Sequence, residues 1–249
     1  MLLALLSDIH SNLPALRAVL ADVEGRGADA TYHLGDLVGY APWPDEVTAL
    51  IAGRGIPGVS GNYDSTVAND YKHCGCRYED PRQEELSHLS FAWTKAHCSE
   101  ATRAFLGTLP FRIDLRAAGG HAGGPTAVLV HGTPTLNTVY WTADRSDDFC
   151  RKMAAVAGLR AGDVIAFGHT HLPWTRVVDG VRFVNTGSVG RPKDGDPRAG
   201  YTLLRLDGTE SAAEHVRVAY DIEEAARAIV PAGLPGDFAD HLRTGRTGA

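Results

Sequence analysis

The chain lacks the marks of several protein classes. No apolar run approaches the roughly 20 residues that cross a bilayer. The opening run Met1–Leu6 meets Asp8 too early, and has no basic flank, to serve as a secretion signal. It reads as a strand, and the protein as cytoplasmic with no membrane partner. Cysteine is scarce: Cys74, Cys76, Cys98 and Cys150 show no framework spacing, which excludes a disulfide scaffold and suits a reducing compartment. Positive charge is also short, 24 Lys and Arg against 30 Asp and Glu, a net charge of −6. That leaves no basic footprint for an extended nucleic-acid surface.

What remains is an ordinary globular composition, 44% apolar and 22% charged over 249 residues. We read it as one domain, 1–249, with ample core. Leu13, Leu16, Val19, Leu20 and Val23 fall at helical spacing behind Asn12, a capping residue, and Pro14, a first-turn residue. Ala30–Leu34 reads as a strand, 44–53 as a helix, and Ile56–Ser60 as a short third strand. Such β-α-β-α-β alternation implies parallel strands, with ligands gathered at their carboxyl ends. Residues 65–110 read as a helical excursion flanking the site. Ala127–Val130 and Val164–Phe167 read as strands with a helix at 145–158 between them. Short antiparallel strands follow from 174 to 219. The tail 221–249 reads as an amphipathic helix, a Pro/Gly break and a polar end.

Chemistry concentrates where apolar runs stop. Asp8-Ile9-His10, Gly35-Asp36-Leu37-Val38-Gly39, Gly61-Asn62-Tyr63-Asp64, His131-Gly132 and Gly168-His169-Thr170-His171 each place ligand atoms just after a strand, often beside glycine. If the segment is extended, Asp8 and His10 project to the same side. Any one of these is more often a turn acid or a surface histidine. Together they supply two aspartates, one asparagine and four histidines. That is too many for one tetrahedral zinc, and suits two ions about 3.5–4 Å apart. Two close dications need a bridging carboxylate, and Asp36 is the natural one.

The ordered motifs resemble the calcineurin-like metallophosphoesterase superfamily, whose pattern is D-x-H, G-D-x-x-G, G-N-H-[DE], a later histidine and G-H-x-H. Asn185-Thr186-Gly187-Ser188-Val189-Gly190 resembles a segment of its compact bacterial phosphodiesterase-like branch. The resemblance implies a four-layer αββα sandwich of two mixed sheets with a binuclear site at the strand ends. It implies one ion on Asp8, His10, Asp36 and His171, and a second on Asp36, Asn62, His131 and His169. A hydroxide bridging the ions would attack phosphorus in line. The ligand set suits manganese first, with iron, zinc or nickel behind it.

One position departs from the pattern. Tyr63 stands where the superfamily carries a histidine thought to protonate the leaving oxygen, which favours diesters or phosphoanhydrides over alkyl monoesters. Tyr63 thus joins Asp36, Asn62, Asp64 and His131 as a catalytic candidate, with Asp64 orienting a ligand histidine. Asn12 reads first as a helix cap and second as a substrate contact. Arg191, Lys193 and Arg198 border a Pro/Gly/Asp-rich loop and offer phosphate contacts, weighed evenly against a solvated loop. Cys74 and Cys76 have poor spacing for zinc, and His33 reads as packing or as support behind the ligands, not as a ligand. The expected activity is metal-dependent phosphodiester hydrolysis of a small phosphorylated substrate, a nucleotide among the candidates. A dinucleoside polyphosphate hydrolase, a protein-phosphatase-like monoesterase and a non-catalytic scaffold stand as alternatives. A homo-oligomer is compatible with all of them.

Overall fold

The computed structural model describes residues 1–76, 78, 80–116, 124–207 and 210–247. The chain begins β1 (Leu2–Leu6), α1 (Leu13–Arg26), β2 (Ala30–His33), α2 (Pro44–Gly53) and α3 (Asn62–Ala68). It continues α4 (Pro81–His97), α5 (Glu100–Gly107), β3 (Ile113–Arg116), β4 (Thr126–Leu129), α6 (Asp147–Ala157) and β5 (Val164–Phe167). It closes β6 (Trp174–Val178), β7 (Val181–Asn185), β8 (Ala199–Asp207), β9 (Glu210–Val218), α7 (Ile222–Ile229) and α8 (Gly236–Thr244).

Two mixed sheets form, with strand orders β2-β1-β8-β9 and β3-β4-β5-β7-β6. Period-2 alternation divides their side chains between layers. Leu3 and Leu5 join Ala127, Leu129, Val164, Ala166, Val184 and Leu204 in the core between the sheets. Ala4 and Leu6 face the other way, onto Leu16, Val19 and the helical layer beyond. Val128, Ile165, Phe167 and Phe183 likewise turn outward, onto Trp141 and the Cys150 and Ala154 face of α6. Helices, sheet, sheet and helix therefore stack as four layers. Because the central strands are covered on both faces, their sequences read as unbroken apolar runs.

Local chemistry sets the helix ends. Asn12 accepts the Ala15 N–H at 3.2 Å, Pro14 lies in the first turn of α1, and Gly27 closes it at φ 66°. Three expectations need revision. Ile56–Ser60 makes a single bridge, Gly58 to His33, and not a strand; Pro57 has no N–H to donate to a ladder. The segment before β4 contains β3, whose exposed alternation left too weak an apolar signal. The expected polar tail holds α8, which buries Phe238, Ala239, His241 and Leu242 against the first helical layer.

The inter-sheet core sets stability. Leu5→Ala removes a fully buried side chain and should destabilise the fold by about 2–5 kcal/mol. Urea unfolding should show a lower midpoint at an unchanged slope.

Candidate metal centre

Strand ends β1, β2, β4 and β5, with the first turn of α3, bring Asp8, His10, Asp36, Asn62, His131, His169 and His171 into one buried region. Extended geometry is not what aligns them. Asp8 (φ 51°), His10 (47°), Asp36 (53°), His169 (65°) and His171 (61°) all sit in the left-handed region. A non-glycine residue there is held at a penalty of about 1–3 kcal/mol, characteristic of functional sites. Cross-loop backbone bonds impose it: Asp8 N–H to Gly35 O at 3.0 Å, His10 N–H to Asp36 O at 3.0 Å, and Ser11 N–H to Leu37 O at 2.8 Å. Each strand ends in a tight turn, and those turns aim the side chains.

The imidazoles are fixed by carbonyl oxygens. Nδ1 of His10 donates to Val38 O at 3.0 Å, that of His131 to Leu34 O at 2.7 Å, and that of His171 to Arg191 O at 2.6 Å. A carbonyl only accepts, so Nδ1 carries the proton and a neutral ring presents a bare Nε2. Burial lowers the pKa of His10, of His169 to about 3, and of His171 well below the usual imidazole value. At His131 burial also works against charge, but the Asp36 carboxylate outweighs it and lifts the ring to about 10.

The carboxylates follow the same rule, one oxygen held and one left. Asp8 Oδ2 accepts from Ser7 Oγ at 2.6 Å and from the His169 N–H at 2.9 Å. Asp36 Oδ1 accepts the Tyr63 N–H at 2.9 Å. Its Oδ2 lies 3.7 Å from His10 Nε2 and 3.5 Å from His131 Nε2. Asn62 Nδ2 donates to Cys74 O and Cys76 Sγ, leaving Oδ1 3.1 Å from His131 Nε2. Two glycines make room for this packing. A methyl on Gly61 would overlap Asp36 Oδ1, and one on Gly168 would overlap Ser7 Oγ and Asp8 Oδ2.

These residues fit a pair of cations. Asp8, His10 and His171 form one compact donor group and Asp36, His131 and His169 another. Nε2 of His10 and His171 face each other at 3.2 Å with no proton assigned between them. Asp8 Oδ1 and His169 Nε2 are buried without a hydrogen-bond partner among the described residues. Opposed lone pairs and orphaned acceptors are repulsive unless a cation joins them.

Other candidates are placed differently. Tyr63 packs its ring beside His10 and Phe91, and turns its hydroxyl onto α4, donating to Ser87 O at 3.4 Å and Ser90 Oγ at 3.3 Å. Asp64 does not reach a histidine. Its oxygens accept the backbone N–H groups of Leu37 and Gly61, both at 2.9 Å, tying two ligand loops together. Asn12 is consumed by its cap and by donation to Gly190 O at 2.9 Å. Arg198 grips Asp196 from an exposed position, because that carboxylate lies two residues away in the same loop. Of the three cations in that loop, Arg191 is buried beside the cluster, Lys193 half-buried and Arg198 exposed. The motif reading missed Ser7, Ser188, which donates to Asp8 O at 2.7 Å, and Tyr140, whose ring centroid is 4.4 Å from that of His169. Ser7 adjoins a motif and was accessible by position; Tyr140 sits in a loop with no pattern.

Two packed mixed sheets with paired carboxylate–imidazole groups at their strand ends define a metal-binding hydrolase scaffold. The calcineurin-like phosphoesterase superfamily domain matches residues 1–209, and the chain belongs to that superfamily of divalent-metal-dependent phosphoester hydrolases. It is 31% identical to the uncharacterized protein MJ0912 of Methanocaldococcus jannaschii, over 98% of both chains. Phosphodiesterase YfcE of Escherichia coli K12 is 27% identical, across 81% of this chain and 85% of that one. A metallophosphoesterase from Sphaerobacter thermophilus superposes with a TM-score of 0.76 at 27% identity, covering 98% of this chain and 100% of its own.

Removing the shared oxygen should separate folding from metal uptake. Wild-type protein should bind about two divalent ions, whereas Asp36→Asn should hold about one or fewer by elemental analysis, with its circular dichroism unchanged. Full occupancy in Asp36→Asn would exclude a bridging role.

Proposed function

We propose that this chain hydrolyses phosphodiesters with two divalent ions, manganese foremost. Asp8, His10 and His171 would hold one ion, and His131, His169 and Asn62 the other, with Asp36 available to both. The observation that carries this reading is Asp36 Oδ2, within 3.7 Å of His10 Nε2 in one donor group and 3.5 Å of His131 Nε2 in the other. When bound, two such ions supply Lewis acidity on phosphoryl oxygens and bring the pKa of coordinated water down to about 7.

The chain's own contribution is order and polarity. Leu34, Val38 and Arg191 carbonyls lock three imidazoles in the metal-binding tautomer. Ser7 and the His169 N–H hold Asp8, so the ligands need little rearrangement when cations arrive. Arg191 and Lys193 stand on the open side of the cluster, where phosphate oxygens would lie.

The preference for diesters has two supports. YfcE, a phosphodiesterase by name, is 27% identical to this chain. The second support is the side chain at position 63: its phenol is committed to α4, and burial raises its pKa well above the ordinary tyrosine value. A poor alkoxide leaving group would need a donor that Tyr63 does not provide. We therefore remove Tyr63 from the proton-transfer set and keep it as packing for His10.

With added manganese, bis-nitrophenyl phosphate should be turned over faster than nitrophenyl phosphate, and a chelator should abolish both reactions reversibly. Diadenosine tetraphosphate tests the anhydride alternative, and monoester turnover far above diester turnover would overturn the preference. Tyr63→Phe should keep kcat/KM within about twofold, whereas loss of a general acid would cost about 100-fold or more.

A further inference from the structure

The side chains on the open flank of the cluster specify more than a phosphate group. Arginines elsewhere on the chain mostly meet carboxylates, as Arg26 meets Asp22, Arg82 meets Asp237 and Arg243 meets Glu223. Arg191 and Lys193 do not. Arg191 is 5% exposed. Its guanidinium lies 3.9 Å from the Tyr40 ring centroid, one Nη donates to His241 Nδ1 at 3.0 Å, and Nε has no hydrogen-bond partner among the described residues. Lys193 is half-buried and makes no hydrogen bond or ion pair among the described residues. In a chain of net charge −6, a buried guanidinium beside a half-buried ammonium, with Asp8 and Asp36 attracting the lysine from beyond ion-pair range, favours an anion that can join them.

Those cations stand on one wall of a cleft of about 490 Å³, which Tyr40, Tyr78, Gln83 and Tyr140 also line. It adjoins the metal cluster: the Tyr140 ring centroid is 4.4 Å from that of His169, and the Tyr40 centroid 4.9 Å from that of His10. A phosphate held by Arg191 and Lys193 would fill only a fraction of it. The remaining space has the size of an organic ligand pocket, about 300–1,000 Å³. Its lining combines three phenol rings with the Gln83 amide, which makes no hydrogen bond among the described residues, and with Asp80, Arg145 and Thr247. Aromatic faces stack on any nucleobase, and a side-chain amide offers both a donor and an acceptor to a base edge.

We propose that this cleft binds the nucleoside of a nucleotide phosphodiester, with the tyrosine rings and Gln83 around the base and Arg191 and Lys193 on the phosphate. The assignment rests on the phosphodiesterase reading above, and it names the substrate class. Aliphatic diesters would leave the aromatic wall unused.

The test compares three diesters with one leaving group on the manganese-loaded protein: thymidine nitrophenyl phosphate, phenyl nitrophenyl phosphate and methyl nitrophenyl phosphate. The thymidine diester should exceed the methyl diester in kcat/KM by about tenfold or more, because base–aromatic stacking contributes on that scale. Tyr78→Ala and Tyr140→Ala should each shrink that ratio whatever they do to absolute rates. Calorimetry should show thymidine monophosphate binding more tightly than inorganic phosphate, with Lys193→Met weakening both. Equal rates for thymidine and methyl diesters would overturn the proposal, and a phenyl diester matching the thymidine one would reduce the site to a general aryl pocket. If no diester turns over, the hydrolase reading fails, and calorimetry still decides the cleft: equal affinity for phosphate and thymidine monophosphate overturns it.

Discussion

Everything in the site depends on how one carboxylate is buried. Asp36 is 2% exposed, and an ionised carboxylate out of water demands compensation at both oxygens. One comes from the backbone N–H at the start of α3, which fixes the side chain's direction. The other faces imidazoles from two loops, and the His131 charge holds the Asp36 carboxyl well below its usual range despite burial. In the absence of cations the pair balances itself, while cations would take over the role of the His131 proton. The same oxygen that stabilises the ion-free centre is therefore the one placed to join two ions.

The surroundings divide the work between backbone and side chain. Carbonyl groups set the histidine tautomers, and N–H groups anchor one oxygen of each carboxylate. Asp64 serves the frame, linking the Leu37 and Gly61 N–H groups, and its burial beside Asp36 raises its own pKa to about 7. The left-handed turns at Asp8, His10, Asp36, His169 and His171 store conformational strain. Bonds between loops of different strands offset it, so the ligand geometry is only as good as the sheet packing beneath.

On the open side the design changes character. The superfamily's usual protic residue is replaced by Tyr63, whose hydroxyl belongs to the helical layer. Charge there comes from Arg191 and Lys193, on the loop after β7. Arg191 ties this flank to the centre through its carbonyl on His171, and to the C-terminal helix α8 through His241. In the reading proposed above, substrate recognition and metal binding would share this residue, through its guanidinium on one side and its main chain on the other.

Much was legible from residues alone. Apolar runs stopping at Asp, Asn or His located β1, β2, β4 and β5 and the side chains that the fold gathers into two compact donor groups, because buried strands and ligand atoms are both restricted in residue type. The αββα layering followed from alternation of that kind together with the resemblance. Local patterns failed where partners are distant. They could not show that Asp8 and His10 converge through left-handed turns and not along a strand. Nor could they show that Asp64 bonds backbone instead of imidazole, or that Arg198 closes on Asp196 two residues away. Tyr140 and α8 lacked periodic signals altogether. Sequence by itself determined which atoms were available to bind cations; only the tertiary structure decided where each points, because direction is set by hydrogen bonds from loops far away along the chain.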